Sequence, residues 1–96
     1  MLEIRETSAY ADWFAAVRDR VAKARIEIRF RRLSLNNPGD VRPVGDGVSE
    51  LRIHYGPGYR VYFIKQGETV VILLAGGSKS TQQADIRQAK DLARIL

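Results

Sequence analysis

The sequence predicts an α+β fold in which an N-terminal helical hairpin packs on a mainly antiparallel, twisted sheet and a C-terminal helix follows. Three observations predict it. Ser8 to about Leu35 carries apolar side chains at helical spacing. Val41 to Ala75 breaks into short apolar or alternating runs punctuated by Gly and Pro. Helical spacing then returns, with Ile86, Ala89, Ala93 and Leu96 on one stripe.

Leu2 to Arg5 is a short candidate strand. Ser8 is an N-cap candidate, and Ala9 to Arg18 follows with Tyr10, Trp13, Phe14 and Val17 on one side. Asp19 can cap a second helix running to about Leu35. Ile26, Ile28 and Phe30 alternate with charges as a strand would, but length and alanine content favour helix. That helix would carry Ala22, Ile26, Phe30 and Leu33 on one stripe and Val21, Ile28 and Leu35 on another. Its basic residues (Arg18, Arg20, Lys23, Arg25, Arg29, Arg31 and Arg32) read as spread around a solvated surface.

Asn36-Asn37-Pro38-Gly39 ends the helix with turn chemistry. Val41 to Val44 is a short strand, and Pro43 places it at an edge or bulge. Gly45-Asp46-Gly47 turns the chain. Glu50 to Phe63 reads as a hairpin closed by Gly56-Pro57-Gly58, with Leu51, Ile53 and Tyr55 alternating against Arg52 and His54. A three-residue loop would set Tyr55 against Tyr59, His54 against Arg60 and Arg52 against Tyr62. One ribbon face would then expose two guanidiniums, an imidazole and a phenol. Thr69 to Ala75 is apolar on both faces, as a central strand should be. Ser80 and Gln83 form a candidate capping box for a helix starting at Thr81.

With 96 residues, the default is a single domain spanning 1–96. The chain has no cysteine and one histidine, which argues against disulfides, thiolate chemistry and zinc sites of the Cys or His type. No metal or cofactor is expected. The longest apolar run, Val70 to Ala75, is far short of the roughly 20 residues that span a bilayer, and the N-terminus lacks the pattern of a signal segment. A soluble, cytoplasmic protein without membrane contact is the expectation. Sixteen Lys and Arg against eleven Asp and Glu give a net charge of +5. The excess of Arg over Lys favours forked recognition of phosphate or carboxylate, so a polyanionic partner is the sharper reading of the charge.

Arg60 is the leading candidate for clamping a phosphate and stabilising its transition-state charge. His54 is the side chain whose ordinary pKa suits proton transfer near neutrality. Arg52 and Tyr62 share their strands, and Tyr62 can stack on a base or an arginine. Gly76-Gly77-Ser78-Lys79-Ser80 lies between a strand and a helix but fails the phosphate-loop pattern, because Ser78 and Leu73 stand where glycines are needed. It still puts Lys79 and a helix N-terminus at one end of the sheet.

Gly39 to Phe63, then Leu73-Leu-Ala-Gly-Gly-Ser-Lys-Ser80 and Gln82-Gln-Ala-Asp-Ile86, resemble the RelE/ParE superfamily of type II toxin–antitoxin toxins, most closely the HigB-like addiction module killer proteins. The resemblance covers nearly the whole chain. It implies a RelE-like α+β fold and a helix-turn-helix antitoxin encoded by a neighbouring gene. It also implies that operator DNA is bound only through the antitoxin complex. Ribosome-dependent nucleases of this superfamily cut mRNA. Their Gly-Tyr-Arg matches Gly58-Tyr59-Arg60, their basic positions on the preceding strand fall at Arg52 and His54, and a basic residue after the last strand falls near Lys79. The chain departs from some members in finishing Arg94-Ile95-Leu96 rather than in a basic, aromatic extension.

The resemblance therefore implies a metal-independent mRNA endoribonuclease acting on the ribosome, in which the substrate's 2′-hydroxyl attacks the adjacent phosphate. The expected catalytic set is Arg60, His54, Arg52 and Lys79, with Tyr62, Arg52 and Lys79 holding RNA. The alternatives are a ParE-like inhibitor of DNA gyrase without nuclease chemistry and a degenerate protein that only binds its antitoxin.

Overall fold

The computed structural model describes residues 1–96. Strand β1 (Glu3–Glu6) leads into helices α1 (Ser8–Ala16) and α2 (Arg20–Ser34). Strands β2 (Val41–Gly45), β3 (Val48–Ile53), β4 (Tyr59–Gln66) and β5 (Val70–Gly77) follow, and a 3-10 turn (Lys79–Thr81) opens helix α3 (Gln82–Arg94). The five strands form one sheet in the order β1-β5-β4-β3-β2. Only the β1–β5 pair is parallel. The α+β class and a mainly antiparallel sheet with a C-terminal helix are as expected.

The sheet lies between two layers of helix. On one side, Tyr10, Ile26 and Leu33 bury against Leu51, Ile53, Val61, Phe63, Val71 and Leu73. Tyr10 stands 5.7 Å from Phe30 edge-on, and the Lys23 ammonium sits 4.9 Å over the Phe14 ring, so side chains tie α1 to α2. On the other side, Ala89 of α3 closes on Val48, Tyr62, Ile72, Leu74 and Ala75, with Ile86, Leu92 and Ala93 packed around it. Because strand side chains alternate, the near-continuous burial of β4 and β5 follows from cover on both faces.

Caps set several boundaries differently from the spacing alone. Thr7, not Ser8, caps α1: its Oγ1 accepts from the Tyr10 N–H at 3.1 Å and donates to the Leu74 carbonyl at 2.6 Å. That second bond fastens the cap to the central strand. Helix α1 then stops at Ala16 instead of reaching Arg18. Asp19 caps α2 as expected, accepting from Val21 and Ala22. In front of α3 the pairing is Ser78 with Thr81 rather than Ser80 with Gln83, because the intervening residues tighten into the 3-10 turn. Leu96 does not share the buried stripe; the helix ends at Arg94 and Leu96 is exposed. Edge strand β2 carries an irregularity between Pro43 and Gly45, as a proline there requires.

The register of the β3–β4 hairpin differs from the expectation by two residues. Arg52 lies opposite Arg60, Glu50 opposite Tyr62 and Ile53 opposite Tyr59. The strands stop at Ile53 and resume at Tyr59, so five residues form the connection instead of three. Within it the Gly58 N–H bonds to the Tyr55 carbonyl at 3.1 Å, and Gly56 and Gly58 adopt φ of 57° and 78°, which glycine reaches without strain. A two-residue shift preserves which side chains share a face, but it moves His54 off the ladder.

A bulge between Tyr62 and Phe63 inserts Leu74 into β5. Beyond it, Gly76 passes under Trp13 and Gly77 under Asp85. A Cβ on Gly76 would lie 2.2 Å from the Trp13 ring. The contact is with a partly buried aromatic packed in the core. Gly76→Ala should therefore destabilise the fold by about 1–3 kcal/mol, the usual cost of overpacking. Urea unfolding of the variant beside the wild-type protein checks it.

Candidate functional site

The chemistry-bearing residues of the hairpin gather around a carboxylate that the sequence reading passed over. Glu50 of β3 has no exposure to solvent. Its Oε1 accepts from Arg52 Nε at 2.7 Å and from Arg60 at 3.2 Å. Its Oε2 accepts from Tyr62 Oη at 3.0 Å, Gln82 Nε2 at 2.9 Å and Arg60 at 3.3 Å. Strand alternation puts Glu50 and Arg52 on one face of β3, and the pairing sets Arg60 and Tyr62 beside them on β4. Helix α3 lies over this face and supplies Gln82 from its first turn.

Burial alone would push the Glu50 carboxyl up. The hydrogen bonds from Arg52, Gln82 and Tyr62, together with the Arg60 charge, outweigh burial and hold it below the usual glutamate range. The same bond pushes the Arg52 guanidinium up. Burial, then the adjacent Glu50 charge, push the Tyr62 phenol well above its ordinary value. The cluster therefore holds one carboxylate and two guanidiniums, a local excess of one positive charge.

This arrangement corrects the expected exposed face. Arg60 is buried, with its guanidinium on Glu50, instead of facing solvent. Tyr62 is fully buried, so in this conformation it offers no surface for a base. The reason in both cases is the cover of α3. Arg52 is the cluster's link to solvent, with its side chain 25% exposed. Lys79 is exposed on the 3-10 turn at the same end of the sheet. Its N–H reaches the Pro57 carbonyl at 3.4 Å, and its Cβ lies close enough to Gly58 to crowd a Cβ placed there. The turn thus sits against the hairpin loop beside Arg60, whose strand partner is Gly77.

His54 is not in the cluster. It lies past the end of β3, largely exposed, with Nε2 2.6 Å from Asp40 Oδ2. That bond, ahead of the nearby Arg42 and Arg52 charges, holds the Asp40 carboxyl below its usual range. His54 lines a groove of about 470 Å³ with Ile53 and with Arg25, Ile28, Arg29 and Arg32 of α2. Arg29 gives its donors to backbone oxygens: the Pro38 carbonyl at 2.8 Å, Asp40 at 3.2 Å and Arg52 at 2.5 Å. It ties α2 to the end of β3. Arg25, Arg29 and Arg32 are spaced i, i+4, i+7, so part of the basic run forms one stripe along the groove and is not scattered around the helix. That spacing was legible in the sequence. Glu50 had a signal too: it shares period-two parity with Arg52, with an apolar residue between them.

A five-stranded, mainly antiparallel sheet with two helices on one face and a C-terminal helix on the other is a RelE-like α+β fold. The chain belongs to the family described as phage-derived protein Gp49-like (DUF891), whose model matches residues 12–96. This is a family of RelE-like, addiction-module-killer-like toxins, so the role is of the toxin–antitoxin toxin kind. A protein of Haemophilus influenzae (strain KW20 / Rd), named only "Uncharacterized protein", is 47% identical over 95 residues, 99% of this chain and 96% of its own length. No helix is long and apolar enough to cross a membrane.

Removing Glu50 would leave Arg60 buried without its carboxylate. Glu50→Ala should cost about 3–5 kcal/mol, the usual penalty for breaking a buried pair from one side; denaturant midpoints measure it. Because the folded carboxyl titrates below its unfolded value, its stabilising contribution is complete above the unfolded value of about 4.3. It is lost as pH falls through the folded value. Unfolding midpoints between neutral and acidic pH should show that loss, and Glu50→Gln should reduce it.

Proposed function

We propose that the protein is the HigB-like toxin of a type II toxin–antitoxin module and a ribosome-dependent mRNA endoribonuclease, with the Glu50–Arg52–Arg60–Tyr62 cluster as its chemical centre. The observation that carries this reading is the cluster's composition. A buried ion network adds little stability over apolar side chains of the same volume. Two guanidinium forks, a carboxylate and a phenol beside an exposed lysine can supply the phosphate clamp and the proton transfer that cleavage of a phosphodiester by its own 2′-hydroxyl uses.

In this reading a scissile phosphate competes with Glu50 for Arg52 and Arg60. Lys79 and Arg52, at the exposed end, meet the RNA first, and displacement of Gln82 with the start of α3 opens the cluster. As Glu50 loses its cationic partners its carboxyl rises from its lowered state and becomes a stronger base. Glu50 takes the proton of the 2′-hydroxyl, the 2′-oxygen bonds to phosphorus, and the bond to the 5′-oxygen breaks. The leaving 5′-oxygen takes up a proton from solvent water, leaving a 2′,3′-cyclic phosphate and a 5′-hydroxyl. Arg60 and Arg52 stabilise the charge that develops on the phosphoryl oxygens. His54, across the sheet edge on Asp40, serves RNA contact or proton delivery from outside the cluster. A helix-turn-helix antitoxin from the neighbouring gene silences the toxin, and the complex binds operator DNA.

A second reading, a ParE-like gyrase inhibitor, is favoured by one observation: Glu50 occupies Arg60 and closes the cluster. Primer extension on cellular mRNA after brief induction separates the two. The nuclease reading expects cuts within translated frames. It also expects Arg60→Lys, which keeps the charge but loses the fork, to lower the cleavage rate about 10²-fold on ribosome complexes. Intact mRNA with DNA damage signalling would select the gyrase inhibitor, and wild-type cutting by Arg60→Lys would remove Arg60 from the mechanism.

A further inference from the structure

The groove between α2 and the end of β3 is lined by cationic side chains that other contacts hold in place. Its volume is about 470 Å³, and Arg25, Arg29, Arg32 and His54 stand around it. Arg25 lies 4.8 Å over the Tyr55 ring, and the Tyr55 hydroxyl donates to Asp19 at 2.9 Å. Arg29 is fixed by the Pro38, Asp40 and Arg52 carbonyls. His54 is held on the Asp40 carboxylate at 2.6 Å. Arg32 is exposed. None of the three guanidiniums is paired with a carboxylate. Ile28, between Arg25 and Arg32 on the helix, and Ile53 add apolar surface to the groove. Such a set differs from a solvated basic helix face, because most of its members are positioned before any ligand arrives.

We propose that this groove is a binding site for a free nucleoside di- or triphosphate, with the phosphate chain between Arg25 and Arg32 and the ribose and base against Ile28 and Ile53. Three points choose this ligand class. Guanidinium forks match phosphate oxygens, and the fixed charge of Arg29 lies behind them. Arg25 and Arg32 are two turns apart, about 10.5 Å along the helix axis. One phosphate group does not bridge them, but a chain of two or three does. The volume falls in the range of small-ligand sites, which begins at about 300 Å³. A single-stranded RNA carries the same phosphates but needs stacking faces and an unbroken basic track. Here Arg25 covers the Tyr55 ring, and the carboxylates of Asp19 and Asp40 border the groove through Tyr55 and His54. Helix α2 lies on the opposite side of the sheet from α3 and the Glu50 cluster, so the proposal stands independently of the nuclease reading.

The test is isothermal titration calorimetry of the full-length protein with ADP at fixed salt. Saturable binding of one ADP per chain is expected. Arg25→Gln and Arg32→Gln should each weaken it about tenfold, the worth of one hydrogen bond to a charged group. Arg31→Gln, next along the helix but outside the groove, should leave it unchanged. Ile28→Ser should weaken ADP and leave inorganic pyrophosphate as it was. All four residues are exposed, so circular dichroism should show intact folds. No saturable binding of ADP would overturn the site. Equal weakening by Arg31→Gln and Arg32→Gln would reduce it to diffuse charge and overturn it too. Loss of binding in Arg60→Lys, with none in Arg32→Gln, would move the phosphates to the Glu50 cluster. A short single-stranded RNA that displaces ADP and binds more tightly through Arg25 and Arg32 would assign the groove to nucleic acid instead.

Discussion

The buried carboxylate of Glu50 constrains much of the molecule. A charge without solvent contact survives only if its oxygens are filled with donors, and here the donors come from three elements. Arg52 is two residues along the same strand, Arg60 and Tyr62 sit across the ladder, and Gln82 reaches over from the start of α3. A one-residue slip of β4 would turn both its donors to the far face. Displacing α3 would remove Gln82 and the cover over Tyr62. The hairpin register and the seat of the C-terminal helix are thus specified by polar complementarity as well as by apolar packing.

The sheet that carries this cluster works as a partition. Its α1–α2 side is an aliphatic and aromatic core, while its α3 side combines a smaller apolar core with the ionic network. The bulge at Tyr62 and Phe63 lets β5 serve both. Beyond it Gly76 admits the Trp13 ring on one side and Gly77 admits Asp85 on the other. Both glycines are required by close approach. Their absence of a Cβ lets α1 and α3 come down on the same end of the central strand, beside the exposed Lys79.

Positive charge is divided by the same partition. On the α3 side it is concentrated, buried and offset by one carboxylate. On the α2 side it is exposed and carries no carboxylate partner at Arg25, Arg31 or Arg32. Arg29 stands between these regimes, because backbone carbonyls of residues 38, 40 and 52 occupy its donors and burial lowers its pKa. A single net charge of +5 therefore describes two regions with different chemistry: one buried and closed by a carboxylate, the other exposed and without a carboxylate partner.

The sequence by itself determined the element types and their order, since these rest on local periodicity and turn chemistry. It placed the Ala22, Ile26, Phe30 and Leu33 stripe, the Asp19 cap, the edge position of Pro43 and the central character of β5. It also marked Arg52, Arg60 and Tyr62 as sharing a face, because parity along a strand survives a two-residue error in register. Only the tertiary structure decided what covers that face. Burial of Arg60 and Tyr62 depends on where α3 lands, which no local pattern encodes. The role of Glu50 depends on donors 2, 10, 12 and 32 residues away meeting at one carboxylate. His54 was separated from Arg60 by the length of a loop, because five residues rather than three between the strands carry it past the ladder and onto Asp40.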